Sequence, residues 1–185
     1  MKENLKINSS IETETTLKEK IAIIENLKIG AAQKANLVLI LLGMKPATEL
    51  LLYQNNDPLG KIENVLLSCG LSIARGKQHE KSSALLVAQN IETINQLAQV
   101  SGDKDHEEYG RLMGYPESAI AAFSDKAKQL DENTYSKLVE ENKDIRVGYF
   151  IPSKDNYQSE SKIMEEWNKA IKNYAPELYD SLQKN

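Results

Sequence analysis

The apolar residues of this chain come in short runs, each closed by a turn signal. The longest run, Leu37–Leu42, is six residues and ends at Gly43. That is far too short to cross a bilayer. Residues 1–15 are polar and mixed in charge, with no apolar core for a signal peptide, and read as a flexible polar lead. One domain, residues 16–185, and a cytoplasmic location are the expectation.

Within that domain the spacing alternates between helical and extended. Thr16-Leu-Lys-Glu19 reads as a capping box, and Leu17, Ile21, Ile24 and Leu27 follow at helical spacing. Gly30 ends or hinges that helix. A second helix runs from about 31 to 42, and Gly43 suits its left-handed exit. Ala47–Tyr53 suits a strand or a helix equally. Asp57 and Pro58 mark the start of a helix with Leu59, Ile62, Leu66 and Cys69 on one face and Gly70 at its end.

Leu71–Lys77 and Ser83–Gln89, joined by a polar turn holding His79, read as a β-hairpin. Arg146–Ile151 is a candidate fourth strand. Asn90 caps a helix with Ile91, Ile94 and Leu97 on one face. Shorter helices are expected at about 105–113, 116–123, 124–130 and 133–142. A long one begins near Ser159 or Ser161 and carries Ile163, Trp167, Ile171 and Tyr174. Pro176 starts a final turn. The fold class is therefore α+β: a small, mostly antiparallel sheet of three to four strands flanked by many helices.

Composition narrows the function. The net charge is −4 and only three arginines occur, so no basic stripe for phosphates is available and no nucleic-acid partner is expected. The single cysteine, Cys69, excludes an internal disulfide and a multi-thiolate metal site, and reads as a small core hydrophobe. No phosphate loop, nucleophile elbow, zincin or dinucleotide motif occurs, and no cofactor is expected. Leu37–Leu42 with Leu50–Leu52 exceeds what one core would absorb, which points to a possible homo-oligomer.

The densest cluster of special residues is Asp103 to Pro116. As structure, Asp105 caps a helix with Glu108 at its third position, Arg111 pairs with Glu107 and Glu108, and Gly114 and Pro116 make a tight corner. As a site, Asp103, Asp105 and His106 could hold a divalent metal, or His106 could act as a base. Neighbours on a helix point in different directions, so convergence is not expected and no metal is the primary expectation.

Gly110-Arg-Leu-Met-Gly-Tyr-Pro-Glu-Ser-Ala119 resembles an uncharacterised prokaryotic family with a Gly-x-x-x-Gly-Tyr-Pro-x-Cys-Cys signature and a Phe at the place of Phe123. Its later Pro-Cys segment resembles Ile151–Ser159, and its C-terminal helix resembles the one ending at 174–178. The resemblance covers about residues 37–178. It implies that Ser118, Ala119, Ser153 and Tyr157 stand where those relatives carry cysteines, so thiol chemistry there would be lost. Together these readings nominate Asp105, His106, Tyr109, Arg111, Tyr115, Ser118 and Ser153 as binding residues. They favour a non-catalytic binding protein over a small metal-dependent enzyme.

Overall fold

A computed structural model describes residues 16–53, 59–78, 80–100, 105–141 and 150–184. The first helix, α1, spans 16–25. There follow α2 (Ala31–Leu41), β1 (Ala47–Tyr53), α3 (Leu59–Ser68), β2 (Ser72–Gln78), β3 (Ser82–Ala88) and α4 (Ile91–Gln99). Next come α5 (His106–Leu112), α6 (Glu117–Phe123), α7 (Glu132–Glu141), α8 (Tyr157–Tyr174) and α9 (Pro176–Gln183). The strands form one antiparallel sheet in the order β1-β3-β2, so the chain is α+β.

β3 is central, and its Ala-Leu-Leu-Val-Ala run is buried along its length because helices cover both faces of the sheet. Leu50, Leu52, Leu85 and Val87 face a large core built with α1, α2, α3, α8 and α9. Ala47, Leu86 and Ala88 face a smaller one closed by Ile94 and Leu97 of α4 and by Met113. β1 is a strand rather than a helix because its residues alternate between these layers, Leu50 and Leu52 buried and Leu51 and Tyr53 exposed.

Leu37 to Ile40 are fully buried in the chain's own core. Of the rest of the run that suggested a partner subunit, Leu50 and Leu52 are buried, Leu41 and Leu42 half-buried and Leu51 exposed. Cys69 is buried in the same core, and burial pushes its thiol pKa up. Asn90 caps α4 through a 2.9 Å bond from the Thr93 amide. Gly43 takes its left-handed turn at φ 70°.

Three expectations differ. No helix occupies 124–130: Asp125 adopts φ 58° and ends α6, and the chain then pairs with the segment before α8. Leu130 donates to the Pro152 carbonyl at 2.9 Å and Lys154 to the Lys128 carbonyl at 2.8 Å. Phe150 and Ile151 lie outside any strand; residues 146–149 of that expected strand fall outside the described residues. The last long helix starts at Tyr157, two residues before Ser159, with Ser153 Oγ accepting the Asn156 amide just ahead of it and Glu160 of the first turn accepting the Ser153 amide. The polar lead, the Asp57-Pro58 start signal, His79 and Asp103 also lie outside the described residues. Among the described residues no helix is long and apolar enough to cross a membrane.

Candidate functional site

The Gly-Tyr-Pro corner joins α5 to α6 and rests on the turn between α2 and β1. Gly114 has φ 77°, and a Cβ built there would stand 2.5 Å from Pro46 Cδ. Only glycine permits both the backbone and that approach. Gly110 is likewise pressed against Ile120 of α6, where a Cβ would meet Cγ1 at 2.8 Å. The Tyr115 amide donates to the Gly110 carbonyl at 3.0 Å and closes the corner.

Two of the nominated residues meet here. Tyr109 donates a hydrogen bond to the Glu49 carboxylate on β1. Tyr115 packs against Phe150, ring centroids 5.8 Å apart, and Phe150 in turn meets Trp167 edge-on at 6.1 Å. Burial first, and the nearby Glu49 charge, hold both phenols above the ordinary tyrosine range; for Tyr109 the bond to Glu49 adds to this.

Between Tyr115 and Trp167 lies Lys45, which the sequence reading did not single out. Its side chain is 1% exposed. Its Nζ lies 5.0 Å from the Tyr115 ring centroid and 5.2 Å from that of Trp167, and donates to Asn36 Oδ1 at 2.6 Å. The ring faces and the amide oxygen favour the ammonium. Burial opposes it and pulls the pKa down to about 7.

The second pair of nominated residues meets at a different place. Ser118 of α6 and Ser153 before α8 both donate to Glu160 Oε1, the latter at 2.9 Å, and the Ser153 amide donates to Oε2 at 2.6 Å. Ser153 Oγ also accepts the Asn156 amide at 3.2 Å. Glu160 is 1% exposed, so these three donors replace water for a buried carboxylate. Residues 35 positions apart in sequence thus share one oxygen.

The remaining nominees face outward. Asp105 occupies the N-cap of α5, but at φ −120°, ψ 54° its side chain makes no capping bond. His106 is exposed and meets Phe123 edge-on at 5.3 Å. Arg111 pairs with Glu117 at 2.7 Å, Glu108 at 3.3 Å and Glu107 at 3.6 Å, so its expected intrahelical pairs form and one more spans the corner. Lys126 pairs with Glu107, and the bond it donates holds that carboxyl below the usual range. Among the described residues no three His, Cys, Asp or Glu side chains come together as a metal could require.

Lys45 carried one legible signal: a lysine in Gly-Met-Lys-Pro between an apolar helix and an apolar strand has little room to reach water. Glu160 carried another, three residues into α8 behind a serine-containing turn. Tyr115 and Ser118 were nominated on the Gly-Tyr-Pro segment, but their meeting with Lys45 and with Glu160 left no mark in the sequence. Compared with known proteins, the chain matches no family model, no curated protein and no solved structure.

Proposed function

We propose that this chain is a non-catalytic binding or interaction protein whose contact surface is the exposed side of the α5–α6 hairpin. The observation that carries the reading is that the nominated polar groups are largely spent internally, at the corner and at the α6–α8 contact. Tyr109 is bonded to Glu49, Ser118 and Ser153 to Glu160, and Arg111 to three carboxylates. What faces outward is Asp105, His106 and the 55% exposed Phe123. An exposed aromatic beside a histidine suits recognition of another molecule better than it suits bond-breaking, which needs convergent, water-shielded groups.

The resemblance to the uncharacterised cysteine-bearing family extends this proposal: the scaffold would be one whose thiol site has been lost. Two of the positions concerned, 118 and 153, meet at one carboxylate oxygen, which supports their belonging to one site.

The test is a pair of variants at exposed positions, His106→Ala and Phe123→Ala, applied to partners recovered with the intact chain. Loss of a specific partner in both, with the fold unchanged by circular dichroism, supports the reading. Turnover of any substrate that His106→Ala or Asp105→Ala abolishes would overturn it and favour the metal-dependent enzyme instead.

A further inference from the structure

We propose that the cavity beside β1 binds a small monocarboxylate with an aliphatic chain, independently of what the α5–α6 hairpin contacts. β1 is an edge strand, and its last residues lie beside the α1–α2 turn and α3. Between them opens a cavity of about 390 Å³. Small-ligand sites span roughly 300–1,000 Å³ and are mostly apolar. Here the buried side chains of Leu52 and Ile62 and the half-buried Ile29 supply the apolar floor. Leu51 and Tyr53, 43% and 59% exposed, form an outer wall that a hydrocarbon chain would cover.

The polar side of the cavity sets the sign of the ligand. Lys28 is the one charged side chain among the described residues that line it, and its amine pairs with no carboxylate among the described residues. α2 starts at the same wall with glycine at its N-cap and no acidic residue in its first turn, so the helix dipole adds to the positive potential. Gln33 offers less. Its Oε1 accepts the Gly30 amide at 3.2 Å and its Nε2 donates to the Leu51 carbonyl at 3.0 Å, which ties α2 to β1. That second bond also covers the strand edge, so a peptide added as a further strand would have to break it. One cation above an apolar floor matches one carboxylate on a hydrocarbon chain. A polyphosphate would leave most of its charge unmatched, and an amine would meet like charge. With Leu51 and Tyr53 open to water, the ligand exchanges freely and is lost on purification.

Octanoate is the probe. Titrated into the full ¹⁵N-labelled chain, it should shift the Gly30, Gln33, Leu52 and Tyr53 amide resonances saturably and leave those of α5 and α6 in place. Octanol and octylamine keep the chain and lack the carboxylate, and both should bind about tenfold more weakly. Lys28→Ala should lose the preference for octanoate over octanol. Leu51→Glu, at an exposed position, should abolish octanoate binding with the circular dichroism unchanged. No saturable shift at these amides, equal affinity for octanoate and octanol, or a preference retained in Lys28→Ala would overturn the proposal. So would the same shifts appearing without octanoate as protein concentration rises, which would seat a second copy in the cavity. The comparison of the three probes needs only the unaltered protein, so it decides the matter even where a variant fails to fold.

Discussion

At the scale of single residues, the side chains that matter most are polar groups sealed away from water. Glu160 accepts from two hydroxyls and one amide, and removing it strands all three donors in a buried setting. Glu160→Ala is expected to cost about 3 kcal/mol or more of unfolding free energy in a denaturant titration. Glu160→Gln, which keeps one good acceptor, should lose less. Gly114→Ala meets both a positive φ and Pro46, and should cost at least about 2 kcal/mol. Arg111 and His106, both exposed, are different. Arg111 pairs at the surface, where side-chain entropy and screening offset the Coulomb gain. Arg111→Ala and His106→Ala should leave the denaturation midpoint nearly unmoved.

At the scale of elements, what was legible followed local chemistry. α4 was readable because Asn90 both stops the strand and accepts the Thr93 amide within three residues; Asn90→Ala should cost about 1 kcal/mol. β2, β3 and the Gly43 exit were readable for the same reason: apolar spacing and a turn residue suffice. The helix expected at 124–130 does not form: Ala127 and Leu130 stand three residues apart, yet Asp125 turns left-handed and Leu130 bonds to Pro152 instead. That pairing crosses 22 residues and leaves no local mark. The candidate site divides along the same line. Arg111 and its helical carboxylates were visible as i, i+3 and i, i+4 neighbours. The meeting of Ser118 with Ser153, and of Lys45 with Tyr115 and Trp167, depends on how α6, α8 and the α2–β1 turn pack together, and no spacing rule anticipates that.

At the scale of the whole molecule, burying Lys45 makes stability depend on pH in a defined direction. The unfolded chain keeps this proton up to about 10.5 and the folded chain only to about 7, so the unfolded state binds more protons between them. Unfolding free energy should therefore gain up to about 1.4 kcal/mol per pH unit from this residue as pH rises through that window. The difference between the unaltered protein and Lys45→Met, measured by urea titration at several pH values, isolates the contribution.

A corner whose polar groups are bonded to one another, carrying a surface meant for contact, is the central claim, and native mass spectrometry tests it most directly. The protein would be purified untagged, without chelator or added metal. The account predicts the bare protomer mass, or integer multiples of it. A stoichiometric divalent cation that disappears when residues 103–108 are replaced by alanine would contradict it and put chemistry where a docking surface is proposed.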